Sequence, residues 1–143
     1  MKMAKMIVVA TDGLDAEAQE MLRARNGIEL RVNPSTPKSE LLNALKDADI
    51  AIIRSATVLD AAALSALPNL KGVLRAGVGI DNIDLKKSEE LGVYVWNAPT
   101  GNFQATAELA LGLLFAASRK IAYATENARS GKWVKKEIGT SGR

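Results

Sequence analysis

Five short apolar runs punctuate the chain: Met6–Ala10, Ile28–Val32, Ile50–Ile53, Val73–Leu74 and Val93–Trp96. Successive runs start 20 to 23 residues apart, with helical spacing between them. Strands alternating with helices at this pitch predict βαβ units and a parallel sheet. Ile28–Val32 alternates apolar and polar residues, so it suits an edge strand with one wet face. Met6–Ala10 and Ile50–Ile53 are continuously apolar and suit central strands covered on both faces. The pattern predicts an α/β, flavodoxin-like doubly wound sheet of five parallel strands in the order 2-1-3-4-5, followed by a long C-terminal helix.

Start and stop signals place the helices. Asp15 caps the first, whose apolar face is Leu14, Ala18, Met21 and Leu22, and Gly27 follows its end. Thr36 and Pro37 open the second, with Leu41, Leu42 and Leu45 turned inward. Asp60 and Asp84 cap two shorter helices, and Gly92 closes the later one. From Gly101 to Gly131 the chain reads as one long helix or two in line. Its segment Ala107–Ala117 is apolar nearly all round, which asks for burial on every side. One small sheet cannot supply that cover, so a second domain or subunit is expected against it. Three regions follow: a sheet domain over 1–99, a connecting and dimerisation helix over 100–131, and a basic tail over 132–143.

Composition narrows the chemistry. With 143 residues, 48% of them hydrophobic, the chain can bury a real core. The net charge is only +3, and much of the excess sits in the tail with Lys132, Lys135 and Lys136. That is a solvated surface rather than a nucleic-acid footprint, so no nucleic-acid partner is expected. There are no cysteines and no histidines. Disulfides, thiolate metal sites and the commonest general base are therefore excluded, and no bound metal is expected. The longest apolar stretch is far below the ~20 residues of a membrane span, so no membrane partner and a cytoplasmic location are expected.

In an open parallel sheet, ligands bind beyond the carboxyl ends of the strands. Here those ends carry Thr11–Asp12, Asn33–Pro34, Arg54–Ser55, then Arg75–Ala76–Gly77–Val78–Gly79, and finally Asn97–Ala98–Pro99–Thr100–Gly101–Asn102. Two arginines close strands that should be neighbours, beside a serine hydroxyl, a glycine turn and asparagines. Arginine presents a planar fork that matches carboxylate and phosphate oxygens. Glycines let backbone amides approach an anion. The competing reading is that each arginine pairs with a nearby acid, for which Asp49, Asp81 and Asp84 are available. Gly77–Val78–Gly79 does not make a dinucleotide fingerprint, because Asn82 stands at the third glycine and Asn97 at the acidic position. A phospho-receiver domain would need an acid where Arg54 stands, and a flavodoxin would need more hydroxyls than Ala10–Leu14 offers.

Four motifs in order carry a resemblance over nearly the whole chain. They are Ile53–Thr57, Arg75–Asp84, Asn97–Asn102 followed by Ala107–Glu108–Leu109, and Gly131–Lys132–Trp133. Together they resemble the D-2-hydroxyacid dehydrogenase family, most of all its D-3-phosphoglycerate branch. The resemblance implies NAD as cofactor and a small phosphorylated hydroxy acid as substrate, with 3-phosphoglycerate oxidised to 3-phosphohydroxypyruvate in serine biosynthesis. It implies that Arg54, Ser55, Arg75, Gly77 and Asn102 bind substrate. Gly77 and Val78 would lie in the loop facing the nicotinamide, and Lys135 would reach the pocket from a partner subunit. It also implies a homodimer through the 101–131 helix. Family members continue into a Rossmann segment that carries the Arg, Glu and His of hydride transfer. No catalytic residue is therefore expected in this chain, which is expected to be inactive alone and to hold NAD weakly. Phe103–Gln104 departs from the small polar residues common there. Two alternatives stay open: a hydroxypyruvate, glyoxylate or D-lactate type reductase, and an isolated non-catalytic anion-binding or assembly domain.

Overall fold

The computed structural model describes residues 5–139. The chain divides into two compact units, one ending at Gly101 and the other starting at Asn102. The first unit holds strands β1 (Met6–Ala10), β2 (Ile28–Val32), β3 (Ile50–Ile53), β4 (Gly72–Arg75) and β5 (Tyr94–Asn97). Between them run helices α1 (Ala16–Arg23), α2 (Leu41–Leu45), α3 (Ala61–Ser65) and α4 (Leu85–Glu90). All strand pairs are parallel and the order is β2-β1-β3-β4-β5, as the apolar runs predict.

The two faces of the sheet are covered unequally. On one, Val9, Ala51, Ile53 and Val73 pack with Leu41, Leu45, Leu59, Leu64, Leu67 and Val93, so α2 and α3 and the loops beside them close the main core. On the other, Val8, Ala10 and Ile52 are buried under Leu14 and Leu22 at α1. Toward β5 this second face has no helix of the first unit over it. Trp96 lies there over Gly72, where an added β-carbon would come within 2.6 Å of its ring. Tyr94 stacks on Trp96 with centroids 5.8 Å apart and remains 70% exposed.

Local rules account for most helix boundaries. The Asp15, Asp60 and Asp84 carboxylates accept from the amides of Glu17, Ala63 and Lys87. Each satisfies one of the first-turn donors that a helix leaves unpaired. Gly27 and Gly92 take positive φ just past their helices. The opening of α2 differs from expectation. The segment from Pro37 forms only turns, α2 starts at Leu41, and Glu40 caps it without a side-chain bond. The Thr36 hydroxyl instead donates to the Thr11 carbonyl, a tertiary bond that outcompetes a local cap. Met21 and Leu42 are also exposed rather than inward, because α1 and α2 are short and narrow in contact.

The second unit holds α5 (Phe103–Ser118), α6 (Ile121–Arg129) and α7 (Lys135–Ile138). A single long helix is thus ruled out. Lys120 adopts the left-handed conformation, with φ of 50°, and ends the hydrogen-bond ladder between α5 and α6. The Tyr123 hydroxyl and the Lys120 ammonium both donate to Glu137, joining α6 to α7. Nearly all of α5 is exposed, including Leu109, Leu111, Leu113, Leu114 and Phe115. No described helix is long and apolar enough to cross a membrane.

Asp49 joins three strands at the amino edge of the sheet. Its carboxylate accepts from the Ile7 amide at 2.8 Å and from Lys71 Nζ at 2.7 Å. Its backbone bonds Ile7, Lys71 and Gly72. The Lys71 bond, and then the Ile7 bond, hold this carboxyl below its ordinary value of 3.8. A depressed carboxyl contributes stability at neutral pH that is lost as pH falls through its folded value. Asp49→Ala should therefore cost about 1–3 kcal/mol at pH 7. In urea melts at a series of pH values, the gap from the parent chain should shrink below pH 3.8.

Candidate functional site

Parallel strands deliver all their carboxyl ends to one edge. Register puts Ile53 of β3 beside Arg75 of β4, and Arg75 beside Asn97 of β5. Arg54 and Arg75 thus stand at neighbouring strand ends, with Ser55, Gly77 and Val78 in the loops that follow. The first unit brings these five candidates to one rim. Asn102 and Lys135 belong to the second unit. Asn102 precedes α5 and takes two bonds on its carbonyl from Thr106, and Lys135 opens α7.

Of the three acids that could compete for the arginines, Asp49 and Asp84 are engaged elsewhere, and Asp81 forms no ion pair with either among the described residues. Asp49 pairs with Lys71, and Asp84 caps α4. Among the described residues, neither Arg54 nor Arg75 forms an ion pair. Arg75 is half-buried, and its Nε is buried without a protein partner. A buried donor of a charged group left unbonded costs on the order of 1–3 kcal/mol or more. An anion that accepts from it would recover that cost.

The rim loops are held by their own polar side chains. After β3, the Arg54 and Thr57 amides donate to the Asp12 carboxylate, and the Thr57 hydroxyl donates to its other oxygen. From the other side, Asn82 Nδ2 donates to the carbonyls of Arg54 and Thr57. After β4, the Gly77 amide closes a three-residue turn onto the Arg75 carbonyl. Asn97 Nδ2 then donates to the Val78 carbonyl at 2.7 Å, and the Ala98 amide donates to the Gly77 carbonyl. Asn97, which composition offered as a ligand donor, thus bonds backbone, as do both Nδ2 protons of Asn82, whose Oδ1 is buried without a protein partner. Within the Arg54–Thr57 and Gly77–Gly79 turns, the amides without a protein partner among the described residues are those of Ser55, Ala56, Val78 and Gly79.

Arg75 packs closely over Gly77. A β-carbon there would overlap Arg75 Nη1, so the guanidinium lies directly over this residue. The rim can therefore offer two cationic forks, a serine hydroxyl and four amides to an anion. It does not fit a dinucleotide. The asparagines at positions 82 and 97 are tied to backbone carbonyls, and no carboxylate stands where a ribose would be gripped. Sequence reasoning missed Asp12 and Thr57. Their signal was an acid closing a central strand, and a threonine three residues beyond an arginine at the next strand end.

The family model for the catalytic domain of D-isomer specific 2-hydroxyacid dehydrogenases matches residues 8–132. A hydroxypyruvate reductase of Thermotoga maritima is 40% identical over 136 residues, 95% of this chain and 44% of that protein. A D-3-phosphoglycerate dehydrogenase of Archaeoglobus fulgidus is 39% identical over 133 residues, 93% of this chain and 25% of that protein. A crystal structure of NAD+-bound 3-phosphoglycerate dehydrogenase from Entamoeba histolytica superposes with a TM-score of 0.71 at 29% identity, over 82% of this chain and 40% of that one. The chain spans less than half the length of these relatives. It belongs to the D-isomer specific 2-hydroxyacid dehydrogenase family.

One consequence of the rim is directly measurable. In Gly77→Ala the intruding atom meets the mobile end of Arg75 rather than backbone. The melting temperature should stay within a few degrees of the parent, about 1 kcal/mol or less. The displaced guanidinium should cost anion affinity as much as Arg75→Ala does, read by calorimetry with phosphate.

Proposed function

We propose, from membership of the D-isomer specific 2-hydroxyacid dehydrogenase family, that this chain is the substrate-binding part of an NAD-dependent enzyme that oxidises 3-phosphoglycerate to 3-phosphohydroxypyruvate. The observation that carries this reading is the pair Arg54 and Arg75, side by side at the carboxyl edge and free of acidic partners. A phosphorylated hydroxy acid has two anionic ends, and two separate guanidinium forks suit it better than a substrate with one. Ser55, Gly77 and Asn102 complete the substrate contacts in this reading, and Val78 faces the nicotinamide. NAD itself would be held by polypeptide outside these residues, since the rim makes no dinucleotide site. The chain's own residues would bind and orient the substrate, and the chain alone would transfer no hydride.

A second reading is a hydroxypyruvate reductase, favoured by the 40% identity to the Thermotoga maritima protein of that name. Calorimetry on the chain with 3-phosphoglycerate, glycerate and lactate separates the two. The phosphorylated acid should bind most tightly. Arg54→Ala and Arg75→Ala should each weaken it by about 1.5–3 kcal/mol. Equal affinity for glycerate would favour the reductase, and unchanged affinity in both variants would reject the anion site.

The exposed apolar length of α5 supports a homodimer through this helix. Each large apolar side chain left in water forgoes roughly 1.5–3 kcal/mol of burial. Several on one helix make a patch that a two-fold contact would remove. In such a dimer, Lys135 would serve the partner's substrate. Light scattering should give a dimer at micromolar concentrations, with Leu113→Glu shifting it to monomer. A monomeric parent chain would reject this arrangement.

A further inference from the structure

We propose that Asp12 is a positioning residue for the anion-binding loop: its carboxylate fixes the Arg54–Thr57 turn so that Arg54 and the Ser55 and Ala56 amides face the substrate. The proposal rests on the anion-site reading above and deepens it. Asp12 closes β1, which lies beside β3 in the sheet. One carboxylate oxygen accepts from the Arg54 amide at 2.8 Å and from the Thr57 amide at 3.2 Å. The other accepts from the Thr57 hydroxyl at 2.9 Å. A carboxylate only accepts, so the single Thr57 hydroxyl proton must point at Asp12. The Thr11 hydroxyl, 2.8 Å from that of Thr57, must then donate to Thr57. Both threonines are buried, so this chain of hydroxyls has one direction, and Asp12 sets it.

The geometry divides the loop's donors into two sets. Asp12 takes the outer amides of the turn, at Arg54 and Thr57. Asn82 takes the carbonyls of those same two residues. Both ends of the turn are therefore held at donor and acceptor, and the middle amides of Ser55 and Ala56 are left over for a ligand. A negative charge beside an anion site would by itself repel the ligand. If Asp12 acted only through charge, removing it would tighten binding. If it acts by holding the turn, removing it weakens binding. The sign of the effect separates the two.

The test is an NMR titration of the 15N-labelled 143-residue chain with 3-phosphoglycerate and, separately, with inorganic phosphate. Asp12→Ala should weaken both by roughly tenfold or more. It should also speed hydrogen exchange at the Arg54 and Thr57 amides. Asp12→Asn should restore binding to within about threefold of the parent. Its amide oxygen can still accept from both backbone amides, while its NH2 donates to a reversed Thr57 hydroxyl. General destabilisation would not produce that rescue well below the melting temperature. Should Asp12→Ala fail to fold, Thr57→Val removes one of the three bonds and keeps the other two. It should weaken binding by a few-fold, about 0.5–1 kcal/mol. Asp12→Ala, or Thr57→Val in its place, binding as tightly as the parent or more tightly overturns the role of Asp12 alone. A parent chain that binds neither ligand overturns the anion-site reading itself.

Discussion

A parallel sheet must be covered on both faces, and most of the first unit follows from that constraint. Crossover helices lie on both sides, so inner strands are apolar at every position rather than at every second one. β1 and β3 obey this, with Val8, Val9, Ala10, Ala51, Ile52 and Ile53 all buried. The cover is complete on the side of α2 and α3 and partial on the side of α1. Where no helix of the unit reaches, Trp96 folds across Gly72, and the absence of a side chain at residue 72 is what admits the ring. The same parallel arrangement brings every carboxyl end to one edge. The site is thus a by-product of how the core is closed, and its residues need share no local sequence.

At that edge, polar groups sort into those the fold consumes and those it leaves. Asp12, Asn82 and Asn97 bond loop backbone, and Thr57 bonds Asp12 and Thr11. The Arg54 and Arg75 side chains and four loop amides are left. This division gives the rim its sign. The Asp12 carboxylate accepts from three donors of the β3 loop, while among the described residues both guanidinium groups lack acidic partners. Backbone hydrogen bonding also explains how the Gly77 loop tolerates Arg75 lying on it. The turn is tied at the Gly77 and Val78 carbonyls, which fixes the backbone beneath the guanidinium.

Features that depend on one element's own residues were legible in the sequence. Strand positions follow from apolar runs, and the caps at Asp15, Asp60 and Asp84 follow from a short side chain before a helix. Both arginines were legible too, because a strand end places a residue without further information. Features set by a contact between distant segments were not. Thr36 reads as a helix start but bonds Thr11, 25 residues earlier. The apolar spacing of Met21 and Leu42 continues past the width of the contact that would bury them. One helix or two stayed open between Gly101 and Gly131, because the break at Lys120 carries no glycine or proline to place it. Asp12 is the clearest case. As a residue it is an acid at the edge of an anion site, a poor candidate, and only its three loop donors explain it.

The rim's open geometry bears on how strongly it can act. Arg54 and Ser55 are exposed, so a charge-assisted contact there competes with water and is weakened by salt. Arg75 is different. Its buried Nε has already lost its water, and an arriving oxygen gains the bond without that desolvation. Of the two forks, Arg75 is therefore preorganised and Arg54 gains from any surface that closes over the rim and lowers the local dielectric. The relatives matched here are more than twice the length of this chain, so they carry polypeptide able to supply such a surface. In the proposed reading, an anion in the open rim would gain more from Arg75, and Arg54 would gain from a surface over the rim.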